Sequence, residues 1–125
     1  MTTLPKYQHA VRHFEQAIRK YTKDYHIPDA MPQLYRAYIV EVFGADPAIP
    51  TRSSDRVSEA KHCYRALLRF NLNLSTQEAA DLSGGICHTS VCNSVKKHKD
   101  LMLTDRGYNA KVMAVQSKID AYERN

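Results

Sequence analysis

The stretch LSTQEAADLSGGICHTSVCNSVKKH, Leu74–His98, decides how this chain folds. Ser75-Thr76-Gln77-Glu78 is a capping-box pattern, in which a serine hydroxyl and a glutamate carboxylate satisfy free N–H groups at a helix start. The helix it opens is short, because Gly84–Gly85 follows within three turns. A second helix begins near Cys87 or His88 and carries Val91, Val95, His98 and Met102 inward. The small pair Ala79–Ala80 lets the two helices approach closely, and one glycine is expected at positive φ to make the turn. A short helix, a tight turn and a longer helix in this order form a helix-turn-helix, whose second helix enters the DNA major groove. A helical hairpin with solvated polar faces has the same pattern and is common in helical bundles.

The residues of the second helix expected to face outward are His88, Thr89, Ser90, Asn93, Ser94, Lys96 and Lys97. They are short and hydrogen-bonding at the start, then basic toward the end. Base edges are read by the first kind and phosphates are held by the second. Ser75 and Gln77, at the start of the short helix, join the expected DNA-binding set.

Outside this stretch the apolar spacing is also helical. Tyr7, Val11, Phe14, Ile18, Tyr21 and Tyr25 recur at intervals of 4, 3, 4, 3 and 4, one face of a helix. Met31–Phe43 carries a wider stripe that Gly44 is placed to end. A third helix runs from about Asp55 to Phe70 with Val57, Ala60, Tyr64, Leu67 and Leu68 inward. The last buries Tyr108, Val112, Val115, Ile119 and Tyr122. No alternating strand pattern bounded by hairpin turns occurs, so the expected fold is all-α with about six helices.

Composition narrows the function class. The 125 residues suit one compact domain, and 43% hydrophobic with 25% charged residues is ordinary for a globular protein. Eighteen Lys and Arg against thirteen Asp and Glu give a net charge of +5, which favours an anionic partner. No apolar run is long enough to span a membrane, and Met1–Lys6 does not open a signal peptide. Three cysteines, Cys63, Cys87 and Cys92, cannot all pair within one chain, so a reducing cytoplasmic compartment is expected, with the nucleoid if DNA is bound.

Residues 52–103 resemble the C-terminal duplex-binding domain of the bacterial replication initiator DnaA, which shares a structural superfamily with the Trp repressor. The family signature, Gly-Gly-Arg-Asp-His-Thr-Thr-Val after a short capped helix, is matched here by Gly84-Gly85-Ile86-Cys87-His88-Thr89-Ser90-Val91. Val57, Ala60, Lys61, Leu67, Leu68 and Arg69 fall on the family's long basic helix. The resemblance implies that His88 and Thr89 contact bases, that Ser90 stands for a threonine touching a thymine methyl, and that Lys61 and Arg69 grip phosphates with His62 beside them. It also implies an arginine in the minor groove, for which Arg52 and Arg56 are the candidates, although the aligned position is nearer Ser53. Ile86-Cys87 replaces the family's Arg-Asp pair, removing a phosphate-binding guanidinium and an acceptor for cytosine. The domain is therefore expected to read another sequence, to bind weakly, or to have lost DNA binding and kept the fold as a protein-interaction module.

Residues 1–50 are expected to add a helical pair to the reader in 51–125. Their aromatic residues, Tyr7, Phe14, Tyr21, Tyr25, Tyr35, Tyr38 and Phe43 with His13, either complete its core or form a dimerisation or partner-docking surface. No G-x-x-x-x-G-K-[ST] occurs, so no nucleotide is expected. His62, Cys63, Cys87, His88 and Cys92 lack C-x₂-C or H-x₃-H spacing, which favours free structural thiols over zinc. Cys87 and His88, adjacent on a helix, point apart and make a poor nucleophile–base pair. The expectation is a non-enzymatic protein binding double-stranded DNA, without cofactor or metal.

Overall fold

In a computed structural model of the chain, the described residues are Arg12, Glu15, 30–48 and 55–124, without the side chains of 55–57. They form five helices and no strand: α1 (Ala30–Phe43), α2 (Asp55–Phe70), α3 (Thr76–Leu82), α4 (His88–Thr104) and α5 (Arg106–Arg124). The fold is all-α. Arg12 and Glu15 are helical, while the rest of the helix expected over Tyr7–Tyr25 lies outside the described residues.

Each helix boundary has a chemical cause. Gly44, at φ 76°, ends α1 and returns its N–H to the Val40 carbonyl at 2.9 Å. Beyond α2, Asn73 takes φ 54° and the Leu74 N–H reaches the Leu68 carbonyl at 3.2 Å. The Arg69 guanidinium donates to the Leu74 carbonyl, fixing the same corner. The capping box of α3 is complete: Ser75 Oγ accepts from the Glu78 N–H at 3.1 Å, and Glu78 Oε1 accepts from the Ser75 N–H at 3.0 Å. Asp105 alone separates α4 from α5, and its Oδ1 accepts from the Tyr108 N–H at 3.0 Å.

The turn between α3 and α4 closes on one atom. The Ala80 carbonyl accepts from the N–H groups of Ser83, Gly85 and Ile86 at 3.1–3.2 Å. Gly84 and Gly85 both have positive φ, 98° and 73°, so the tight turn uses two left-handed residues where one was expected. Ile86 is half-buried and packs against the core beneath the turn.

α2 lies at the centre and packs on α1, α3 and α4, while α5 packs on α1 and α4. The core takes Leu34, Tyr35, Tyr38, Ile39 and Phe43 from α1, and Ala60, Cys63, Tyr64 and Leu68 from α2. Val91, Tyr108, Val115 and Ile119 close it from α4 and α5. α1 thus shares one core with the helices of the 51–125 segment. Tyr122 and Val95, both expected inward, are half-buried. Ala79 and Ala80 are fully buried, so the short side chains do allow α3 to approach its neighbours closely.

Two polar contacts tie α5 into this core. Lys118 Nζ meets Glu41 Oε1 at 3.1 Å, with Glu41 buried. His98 Nδ1 lies 2.6 Å from the Tyr108 hydroxyl, both buried. Burial pushes the His98 imidazole down and the Tyr108 phenol up. The phenol therefore keeps its proton and donates it to neutral Nδ1.

A Cβ added to Gly85 meets nothing within 4 Å, so any penalty there comes from its φ of +73°. Gly85→Val is expected to cost about 1–2 kcal/mol in urea melts. Wild-type stability for both the Gly84→Val and Gly85→Val proteins would remove the left-handed turn.

Candidate nucleic-acid interface

α4 presents one continuous exposed row: His88, Thr89, Cys92, Asn93, Lys96 and Lys97. Its inward row is Val91, Ser94 and His98. Ser90 is half-buried. The expectation that Ser94 faces outward is corrected here, because Ser94 is 2% exposed. It sits three residues after Val91 and four before His98, on the buried face. Cys92 takes an outward position that the sequence reading did not assign. The i, i+4 ladder His88–Cys92–Lys96 was the signal that could have placed it.

The N-terminus of α4 is capped weakly. Cys87 is the N-cap residue, exposed and without a well-formed side-chain cap bond, although the N–H and hydroxyl of Thr89 and the N–H of Ser90 lie close enough to its sulfur to hold the thiol pKa down. Cys63 is fully buried, and burial pushes its thiol pKa well up. Cys87 and Cys92 are free and exposed, so of the three sulfurs Cys63 alone has a packing role. Among the described residues no cluster of three or more His, Cys, Asp or Glu is arranged to hold a metal ion.

Other expected contact residues divide by their partners. Ser75 is occupied as the cap of α3, and Gln77 Nε2 donates to Asp81 Oδ1 at 2.9 Å. Both are exposed. Arg69 is half-buried and engaged with the Leu74 carbonyl, which makes it a brace of the α2–α3 corner. Lys61 and His62 are half-buried on α2. Arg52 and the side chain of Arg56 lie outside the described residues.

Ser94 joins α2 to α4 through a polar seam. Arg65 Nη1 donates to Ser94 Oγ at 2.7 Å, and His62 Nδ1 lies 3.1 Å from the same oxygen. A guanidinium can only donate, so Ser94 Oγ accepts from Arg65; toward His62 Nδ1 the hydroxyl donates or accepts according to which ring nitrogen carries the proton. Burial, then the charges of Arg65, Lys97, His98 and Lys61, push the His62 pKa down to about 4. Beside the seam, Ser58, Glu59, His62, Lys97 and Leu101 line an open cleft of about 230 Å³. The sequence reading did not nominate Arg65, since nothing in its spacing separates it from a surface arginine.

The seam sets a pH dependence. The unfolded chain protonates His62 near its ordinary value of 6.5, whereas the folded chain resists protonation down to about 4. In that window the unfolded state holds more protons, so stability falls as pH drops from 6.5 toward 4. His98, also pushed down by burial, acts in the same direction. His62→Gln is expected to flatten the loss measured by urea melts across this window; an unchanged slope would detach His62 from the seam. At the neighbouring cap, Cys87→Asp adds a side-chain acceptor and should stabilise the fold by about 1 kcal/mol. No rise in the urea midpoint would mean that the first turn of α4 is satisfied in another way.

No protein-family model, curated protein or solved structure matches this chain.

Proposed function

We propose that this chain binds double-stranded DNA, laying the exposed row of α4 in the major groove. The observation that carries the reading is the composition of that row along the helix. His88, Thr89 and Asn93, able to hydrogen-bond base edges, occupy the first turns, and Lys96 and Lys97 follow. The capped α3 and the tight turn at Gly84–Gly85 hold α4 at a fixed angle beside α2, which carries Lys61 and His62. The net charge of +5 and the resemblance to the DnaA C-terminal domain support the same reading. On this reading the protein is a non-catalytic reader at the nucleoid, serving as a small regulator or as an accessory factor in replication or of a mobile element.

The packing of Ile86 bears on specificity. Where the resembled family has an arginine on the DNA backbone, this chain has a side chain folded under the turn. The contact is absent, and base preference falls on His88, Thr89, Ser90 and Asn93. A second reading, docking of another protein, draws on Leu103 and Met113, which are 88% and 54% exposed.

The test separates positioning from reading. Titrations against a selected and a scrambled duplex at several salt concentrations should show Lys61→Ala and Lys96→Ala weakening both duplexes alike. Each lost phosphate contact should flatten the salt slope by about 1. His88→Ala and Thr89→Ala should erode the preference between duplexes, each by about 1–3 kcal/mol. Equal effects of all four on both DNAs would refute the groove assignment, and no duplex binding at low salt would advance the docking reading.

A further inference from the structure

Arg65 is the least expected residue of the seam. It is 9% exposed and, among the described residues, donates to Ser94 Oγ, while its Nε has no partner. Among the described residues no carboxylate pairs with it; the ion pairs are Arg36–Asp46, Lys111–Glu59 and Lys118–Glu41. A guanidinium withdrawn from water without a counter-charge costs several kcal/mol or more. Its surroundings add to the imbalance. Burial first, and then the charge of Arg65, lowers the pKa of both Lys61 and His62, and Lys97 acts on His62 as well. Arg65 and His62 meet at one Ser94 oxygen, and His62 and Lys97 line the cleft beside it. One acid, Glu59, lines the cleft, 4.0 Å from Lys111 Nζ of α5.

We propose that the cleft at the α2–α4 seam is a phosphate-binding site lined by His62 and Lys97, with Arg65 held on the same Ser94 oxygen as His62 and with Lys61 preceding His62 on α2. The proposal rests on the duplex-binding reading for the source of the phosphate, a phosphodiester of the DNA backbone. The charge of the ligand offsets what the fold leaves uncompensated, and its oxygens accept from the donors gathered there. Arg65 and Lys97 supply charge. His62, a neutral imidazole, carries one ring N–H without needing to ionise. Ser94 is the positioning residue, since one oxygen fixes both the guanidinium and the imidazole. The site lies beside the exposed row of α4, so one strand can reach the seam while the row meets the bases.

Two probes test the site. Inorganic phosphate should raise the wild-type Tm above that in chloride of equal ionic strength. Arg65→Gln should abolish that increment, Lys97→Ala should at least halve it, and Glu59→Gln, which removes the acid from the cleft, should enlarge it. A short random duplex should bind Arg65→Gln about tenfold more weakly than wild type. An equal phosphate increment in wild type and Arg65→Gln overturns the site. Should Arg65→Gln fail to fold, Lys97→Ala decides, and an unchanged increment there overturns the proposal. Phosphate stabilisation without duplex affinity supports the site and defeats the DNA reading. Duplex affinity that is the same in Arg65→Gln and Lys97→Ala as in wild type defeats the site and leaves the DNA reading standing.

Discussion

The carbonyl oxygen of Ala80 holds the arrangement together. Three N–H groups converge on it, from Ser83, Gly85 and Ile86, and they wrap the chain from the end of α3 into the start of α4. A carbonyl has two lone-pair directions, so sharing it three ways requires the backbone to curl tightly around it. That curl in turn requires left-handed φ at Gly84 and Gly85. The methyl side chains of Ala79 and Ala80 allow it to happen at the bottom of the core, with no larger group in the way. The direction of α4, and with it every residue of the exposed row, follows from this one acceptor.

The interface between α2 and α4 is built from two unlike materials. One part is apolar, with Val91 and Leu68 fully buried. The other part is the Ser94 seam, where hydrogen bonds replace packing. A buried polar group must find partners or lose the hydration it had. Ser94 satisfies that demand by bridging two residues of α2 that stand three positions apart on one face, His62 and Arg65. The seam therefore specifies the rotation of α4 against α2 more sharply than interlocking valines would, because hydrogen bonds have direction.

Much of this was legible in the sequence because the governing interactions are local. The capping box at Ser75, the end of α1 at Gly44 and the glycine turn each depend on residues within six positions of one another. Helix faces followed from spacing for Ala60, Tyr64, Val91, Tyr108, Val112, Val115 and Ile119. The site was less legible where long-range partners decide. Ser94 reads as a surface serine until Arg65 and His62, on another helix, are placed against it. Arg69 reads as a phosphate contact, and nothing in its spacing shows that one of its N–H groups goes to the Leu74 carbonyl. Ile86 reads as a missing arginine until the core it packs against is in view.

One feature of α4 constrains how this surface can vary. The helix is clamped at its start by the Ala80 turn and at its end by the one-residue corner at Asp105. A rod held at both ends has no slack to absorb a change in its length. One residue inserted between Asn93 and Lys96 would rotate the lysines by about 100° relative to His88 and Thr89. The polar start and the basic end would then face different directions, and His98 would leave Tyr108. The exposed row is in this sense a phase relation locked to the core: its residues can be exchanged for others, but their number cannot change.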